Sequence, residues 1–571
     1  MKLICFFLIF FVAAFGSEEG VIKRIHAHLL VKDYYAAQNA CEEALTLYPE
    51  SKGVKKVYVQ ALAQNGKDEE AIQFWKKSGL KGDLEDPELL ETLAWGVLTR
   101  SENSSQFVVN MASLMSAFFT DDVRAVRMLL SQLNSTNAIM RAMAAQLSPH
   151  YRDVTLIEEL KRLLKEEKIW FVRLEVIQAL GAMEVKDIKE PLAKIICHAR
   201  STAEEKAAAI ASLVTIYEDI DDKEFTELLG SKRAGLRHLA CQIVSHLDLC
   251  EKKEAMVHLL EDASPDVRIA ALNTLYFLGI KNLEPLQLSK LIDLTADPHP
   301  PVALTAACIV SRFAPETALQ VLRRSIYSND DASRRLAAFI LGRVGSVGFS
   351  LAREVMKITP DPYVKANLAL GMIGQGGDLS YAADVLYTFL MLRKGKIMWD
   401  TSANSLFEIL APSRVCHIPQ VPQYPTMVDH LTRLDILGKL AILSHPHAEE
   451  AVKSFLKEHA LGVTFTASTT LLEEGEEEAI DILRDLLQEE DENVRVQAAL
   501  VLALSGGETG AIEVLQEAYK TMDRDMKVNI LGALGHIGDK ASIPFLVELL
   551  EEPYQTLKIV AASALIQCVY H

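Results

Sequence analysis

The residues best equipped for chemistry in this 571-residue chain are Cys416 and His417, adjacent in sequence, with His445-Pro446-His447 downstream. A thiol with an imidazole is the minimum for a base-activated nucleophile, and Cys with His is a common zinc ligand set. Adjacent side chains point apart, however, and no carboxylate is marked to orient the base, so no catalytic residue and no metal site is assigned. No Gly-rich phosphate loop, His-Glu-x-x-His helix or Gly-x-Ser-x-Gly elbow occurs, and no cofactor is expected. Beyond the N-terminal stretch, Cys41, Cys197, Cys241, Cys250, Cys308 and Cys568 form no Cys-x-x-Cys pair. Most fall on apolar helix faces, where a free thiol behaves as a small hydrophobe.

A second set of chemically able residues recurs at a fixed spacing. Arg141, Arg173, Lys206, Arg237, Arg268, Arg335, Lys365, Arg433, Arg495, Lys527 and Lys558 align. Their steps are 30 to 33 residues, or about twice that where a repeat has lost its basic residue, near Leu304, near position 400 and near Phe465. Such an array could hold an anionic ligand, but guanidiniums one repeat apart are expected to form a ladder on neighbouring acceptors that fixes repeat stacking. Asp266 beside Arg268 and Glu492 beside Arg495 are the expected acceptors.

The elements that carry these residues read as paired helices. Pro265-Asp266-Val267-Arg268-Ile269-Ala270-Ala271-Leu272 and Asn493-Val494-Arg495-Val496-Gln497-Ala498-Ala499-Leu500 both look like helix starts. Ser264, Asp297 and Asp361 each precede a proline, as N-caps do, and Gly181, Gly279, Gly342, Gly371 and Gly506 fall near helix ends as stops. Between them lies a second set of amphipathic helices with acidic wet faces, such as 479–487 and 543–550. Together these make roughly fourteen helix pairs. Counted from the basic residue, positions −1, +3, +6, +7 and +10 form an apolar stripe, which for Arg268 is Val267, Ala271, Thr274, Leu275 and Leu278.

Positions +1, +5 and +8 are then expected to face a groove. They supply Gln178, His238, Gln242, Ile269, Asn273, Tyr276, Leu336 and Arg343 as candidate partner-binding residues, beside Leu174, Ser245 and Ile340. A mixed apolar and amide lining suits a peptide or helix, although tight curvature could equally bury these positions. Between Arg393 and Met427 the periodicity weakens, and four prolines, Pro412, Pro419, Pro422 and Pro425, exclude a regular helix and favour an extended strand. This insertion could be a clamp lying in the groove, an exposed recruiting strand or a plain insertion; Trp399 and Tyr424 join the binding candidates from it.

The period, the pairing and the Asp-x-Val-Arg-x-x-Ala-Ala-x-x-Leu core resemble HEAT repeats, particularly the short variety of phycobilin lyases, from about residue 105 to the end. That resemblance implies an all-α fold, a right-handed α-solenoid that grips proteins on its concave side. Near the N-terminus, Ala37 and Cys41 return 34 residues later as Ala71 and Trp75, preceded by Ala61, Leu62 and Gly66. This segment resembles the tetratricopeptide repeat, and two units are too few to stand alone, so it should lean on the next domain.

Composition sets the class of partner. The formal charge is −18, from 77 acidic against 59 basic side chains, and only short basic runs at 52–56 and 393–396 interrupt it, so nucleic acid is not expected. Met1 and Lys2, the apolar run from Leu3 to Phe15, and small residues at Ala14 and Gly16 read as a secretory signal cleaved after Gly16. That run falls short of the ~20 residues of a membrane span. Asn103 and Asn134 head Asn-x-Ser/Thr triplets, which matter only where exported proteins are glycosylated.

The expected organisation is a signal at 1–16, a TPR-like segment at 17–85, HEAT-like blocks at 86–392 and 429–571, and the Pro-rich insertion at 393–428. The expected function is a non-catalytic, exported (periplasmic or secreted) scaffold that holds protein or extended-peptide partners, with no membrane span once the signal is removed. Two alternatives stay open: a HEAT-like lyase or small-molecule carrier acting near Cys416 and His417, and an architectural envelope protein.

Overall fold

A computed structural model describes residues 17–570 except 81–85, 103, 280–283 and most of 393–476. The expected signal at 1–16, Asn103 and Tyr424 lie outside the described residues. Apart from one short hairpin, every described regular element is helical, in agreement with the all-α solenoid expected. The chain divides into two compact units, one of residues 1–134 with 483–571 and one of 135–482.

The first unit opens with α1 (Glu18–Leu30), α2 (Tyr34–Leu47), α3 (Lys52–Gln64) and α4 (Asp68–Lys77). Ala37, Cys41, Ala71 and Trp75 are all fully buried in these two hairpins. α3 and α4 pack on α5 (Pro87–Ser101), which is succeeded by α6 (Phe107–Phe119) and α7 (Arg124–Leu133). The N-terminal hairpins thus lean on α5, as their small number of repeats requires.

The second unit runs through α8 (Ala138–Leu147), α9 (Val154–Glu166), α10 (Trp170–Ala182), α11 (Lys189–Cys197), α12 (Ala203–Ile216), α13 (Asp222–Leu229), α14 (Ala234–His246) and α15 (Lys253–Leu259). It continues through α16 (Pro265–Phe277), α17 (Pro285–Asp293), α18 (Pro300–Val310), α19 (Pro315–Ile326), α20 (Asp331–Arg343), α21 (Ser346–Ile358), α22 (Pro362–Gly374) and α23 (Leu379–Met391). Each even-numbered helix packs on the next even one, while the odd ones pack on the even row and, except for α19 with α21, not closely on one another. The even helices thus form one continuous row, the inner row, flanked by the odd ones. β1 (Ile397–Asp400) pairs antiparallel with β2 (Arg414–His417), so the insertion does contain extended chain. β2 lies against α22 and α20, both of the inner row.

The basic residues form the expected ladder, but on different acceptors. Arg268 donates from Nε and Nη2 to the Asp297 carboxylate at 2.9 and 3.0 Å, and from Nη1 to the carbonyl of Asp262 at 2.7 Å. Arg237 repeats this on Asp262 and the Ser231 carbonyl, and Arg141 on Glu167 and the Ser135 carbonyl. Each guanidinium therefore ties the loop before its own helix to the acidic loop of the next repeat, so that Asp266 is not the acceptor of Arg268. Arg495 likewise takes the carbonyls of Glu489 and Glu490, while Glu492 accepts instead from Thr521. A carboxylate inside a hydrogen-bonded pair of this kind holds repeats in register because leaving either charge buried alone costs ~3–5 kcal/mol.

Asp361 caps α22 through Tyr363 and Val364, as expected for a residue before proline. Ser264 makes no side-chain cap, and α18 has His299 as its cap residue, the Asp297 carboxylate just before it accepting from both Arg268 and the His299 amide. Gly279 has φ +82, a left-handed stop that suits glycine. Gly342 and Gly371 are not stops: a Cβ on Gly342 would lie 2.9 Å from the Gly371 Cα, because α20 and α22 touch backbone to backbone there. Among the described residues Cys41, Cys241, Cys308 and Cys568 are buried, Cys197 is half-buried, and Cys250 differs by being exposed on a single 3-10 turn.

After α24 (Glu477–Leu486), which contains the boundary between the units, α25 (Glu492–Gly506), α26 (Ala511–Ala518), α27 (Arg524–Ile537), α28 (Ile543–Glu548) and α29 (Gln555–Tyr570) return to the first unit. α29 packs on α5 and α6, with Ser563 Oγ donating to the Ser116 carbonyl at 2.7 Å. Its ladder residue, Lys558, has its ammonium 3.8 Å from Asp68 at the start of α4, a carboxylate that also accepts from Arg100 at 2.6 Å. The last rung of the ladder therefore reaches the N-terminal segment, which then stands where a next repeat would.

Gly342→Ala is expected to destabilise the protein by ~1–3 kcal/mol through overpacking. Gly374→Ala, with nothing within 4 Å of the added carbon, should cost nothing; urea unfolding of both variants checks the contrast.

Candidate functional site

The surface available to a partner is set by where each helix starts. In the even row the ladder residue is the fourth of its helix: Arg141, Arg173, Lys206, Arg237, Arg268 and Lys365. α20 starts at Asp331, capped by Asp330 through Ser333, so its fourth residue is Arg334 rather than Arg335. Arg334 indeed donates to the Ser328 carbonyl at 2.9 Å and meets Asp361 at 3.4 Å, while Arg335 lies over the Tyr363 ring. One slip in register moves Ile340 from the groove to position +6 of the apolar stripe and Leu336 to +2, out of the expected groove positions, and both are buried. Arg343 moves from +8 to +9.

The other expected groove residues hold their positions. Gln178 on α10 is exposed; His238 and Gln242 on α14, and Ile269, Asn273 and Tyr276 on α16, are half-buried. Farther along, the corresponding positions close up, for Leu304, Cys308, Phe339, Ala366 and Leu370 are all buried. The usable part of the expected lining is therefore on α10 to α16, with a second locus where α16, α18 and α20 end. Trp399 lies in β1, opposite Val415, and Cys416 and His417 lie in β2, opposite Met398 and Ile397.

At that second locus Tyr276 is joined by a residue that the repeat spacing does not pick out. Arg312, just past α18, stacks over the Tyr276 ring at 4.5 Å and donates to its hydroxyl. Arg343 stacks 3.6 Å over Phe339 and donates from Nη1 to the Phe339 carbonyl at 3.2 Å. Burial pushes the Arg343 guanidinium down to about 10 and the Cys308 thiol beside it up to about 12. Burial also raises the Tyr276 phenol. A thiol held that high is no nucleophile at neutral pH, despite two nearby cations.

His445 is buried and held by its neighbours. Its Nε2 meets Asp384 at 3.1 Å, its Nδ1 accepts the His447 amide at 3.3 Å, and its ring stacks on Tyr387. Among the described residues no group of three His, Cys, Asp or Glu side chains could hold a metal ion, and no helix is long and apolar enough to cross a membrane. In the first unit a cavity of about 420 Å³ is lined by Asp68, Arg100 and Lys558 with Glu551 and Glu552, but its cations are engaged by Asp68.

Residues 485–566 match the family model of HEAT repeats. No curated protein matches the chain. Among solved structures, the myosin chaperone UNC-45 from C. elegans is 13% identical over 96% of this chain and 81% of its own, with a TM-score of 0.38. The karyopherin Kap121p is 11% identical over 96% and 83%, with a TM-score of 0.31. The CpcE–CpcF phycocyanin lyase of Nostoc sp. PCC7120 is 15% identical over 54% and 94%, with a TM-score of 0.21. These likenesses are to a succession of paired helices and extend to no partner or chemistry.

His238 supplies a test of the half-buried lining. Burial lowers its pKa against a weaker opposing pull from Asp266. The unfolded chain then takes up a proton that the folded one refuses, so stability should fall as pH drops through the ordinary histidine range near ~6.5. His238→Gln is expected to flatten that part of the pH dependence of thermal unfolding; an unchanged slope would show that the imidazole is freely hydrated.

Proposed function

We propose that this chain, with HEAT repeats at 485–566 and an inner helix row through 138–374, is a non-catalytic scaffold that holds a protein or extended peptide. The partner lies on the inner row, along α10 to α16. The observation that carries this reading is the lining itself. Gln178, His238, Gln242, Ile269, Asn273 and Tyr276, at corresponding positions of α10, α14 and α16, leave amides, an imidazole and apolar surface exposed or half-buried, and the helices beneath are already satisfied by their own ladder. Apolar patches give such a surface affinity, and scattered amides set the register of an extended chain.

We further propose that the protein is exported, on the strength of the cationic start, short apolar run and Gly16 site. The acidic surface disfavours nucleic acid as the partner. A lyase or carrier centred on Cys416 and His417 has one observation in its favour: their strand lies against the inner helices α20 and α22.

A photo-crosslinking residue placed at Gln178 or Ile269 is expected to capture the partner, whereas one at Arg323, exposed on α19, should not. Capture from α19 alone would refute the inner-row assignment. Mass spectrometry of the protein from its native source should find an N-terminus at Ser17; intact Met1 would remove the export proposal. A co-purifying chromophore lost in Cys416→Ser would favour the lyase reading.

A further inference from the structure

One rung of the ladder carries a cation where others carry an acid. Glu167, Asp262 and Asp297, the carboxylates that receive Arg141, Arg237 and Arg268, each stand three residues before the first residue of the next inner helix, α10, α16 or α18. Before α12 that place belongs to Arg200. Each of those carboxylates also accepts the backbone amide two residues on, from Ile169, Ser264 or His299. At α12 the corresponding amide, of Thr202, donates instead to Glu205 inside the helix, at 2.9 Å. Glu205 is also the carboxylate nearest Arg173, whose Nε lies 3.1 Å from it without making a hydrogen bond. Among the described residues Arg173 makes none of the loop-carbonyl bonds that Arg141, Arg237 and Arg268 make.

A cavity of about 410 Å³ opens at this rung, lined by Arg173, Lys194, His198, Arg200, Ser201 and Glu205, with Ile195 as its apolar wall. That volume lies within the range of small-molecule sites, ~300–1,000 Å³. Arg200 is exposed and has no carboxylate within reach among the described residues. Lys194 meets the exposed Glu190 at 2.7 Å, a contact that water weakens. His198 Nδ1 accepts the Arg200 amide at 3.2 Å, which leaves Nε2 as the donor of the neutral ring. Carbonyls at the end of α11 favour Lys194 and His198 where they stand, but Arg200 lies beyond that end, in the loop.

We propose that this cavity binds a phosphate monoester. Three cations, Arg173, Lys194 and Arg200, face the single carboxylate of Glu205, and a dianion cancels the excess. A phosphate offers three terminal oxygens to the two guanidiniums and the ammonium, with the Ser201 hydroxyl and His198 Nε2 as further donors, whereas a carboxylate offers two oxygens and one charge. The phosphate takes over the bridging part that a carboxylate plays in the other rungs. The cavity exceeds the oxyanion alone, so the esterified group has room beside Ile195. On a protein of net charge −18, a local excess of positive charge also focuses attraction for an anion that the remaining surface repels. This site goes beyond the scaffold reading and does not rest on it.

The test is calorimetric titration of the full-length protein with inorganic phosphate, glycerol 3-phosphate, a phosphoserine tripeptide and succinate. The phosphate compounds are expected to bind, with succinate ~10-fold weaker or worse, and binding should weaken as salt rises. Glycerol 3-phosphate and the tripeptide separate the two sources of a phosphate monoester, a small metabolite and a modified chain, and the tighter of them names the source. Arg200→Gln should weaken whichever binds by ~10-fold. Arg323→Gln, which removes the same charge from the outer row where it faces Glu354, should leave binding within ~2-fold. Arg200→Glu puts an acid back at the ladder position: it should abolish phosphate binding and leave the urea midpoint at or above that of the native protein. No binding of any phosphate compound, equal losses in Arg200→Gln and Arg323→Gln, or succinate binding as tightly as phosphate would overturn the site. A urea midpoint lowered by Arg200→Glu would overturn the equivalence of position 200 with the ladder acids on which the site is built.

Discussion

One contact organises this protein: an arginine at the fourth position of an inner helix, as at Arg141, Arg237, Arg268 and Arg334, reaching backward to a loop carbonyl and forward to the carboxylate of the next repeat. The geometry leaves little freedom. A guanidinium has donors on two edges, and Arg268 uses one edge on the Asp262 carbonyl and the other on Asp297. Two loops that belong to different helix pairs are thereby held at a fixed separation, and apolar stripes such as Val267, Ala271 and Leu275 close over one another at that separation. Charged hydrogen bonds set register while apolar burial supplies the bulk of the stabilisation.

Once register is set, the residues near the ends of the inner helices decide how closely neighbours approach and what they expose. Gly342 meets Gly371, and α20 lies directly on α22. The same position on α16 is Tyr276, which stands up from the helix and carries Arg312 on its face. Backbone contact in one place and an aromatic platform in the other result from a single side chain at an equivalent position. The ladder also reaches beyond the solenoid proper, since Lys558 and Arg100 share Asp68 and so join the last helix to the N-terminal hairpins.

Much of this is legible in the sequence because the repeat is a local signal multiplied many times. The fourth-position cations, the apolar stripe and the proline starts all recur within one helix, where periodicity can be read directly. Pairings between repeats are harder. Nearness in sequence nominates Asp266 for Arg268 and Glu492 for Arg495, whereas the carboxylates that the ladder uses, Glu167, Asp262 and Asp297, recur just before a helix start. The slip at Arg334 arises because two arginines adjoin, and only the cap from Asp330 to Ser333 chooses between them. Gly342 and Gly371 read as stops because nearness to a helix end is visible in sequence and contact with another helix is not. Arg312 escapes because its repeat carries no basic residue at the ladder position to align on, and the meeting of Asp68 with Lys558 joins opposite ends of the chain.

The most direct measurement is a double-mutant cycle on Arg268 and Asp297, with Arg268→Ala, Asp297→Ala and the pair compared by urea unfolding. If the contact sets repeat stacking, the two losses will be strongly non-additive, with a coupling of ~1.5 kcal/mol or more. Losses that add to within ~0.5 kcal/mol would mean that the charges are bystanders and that apolar packing alone holds the row together.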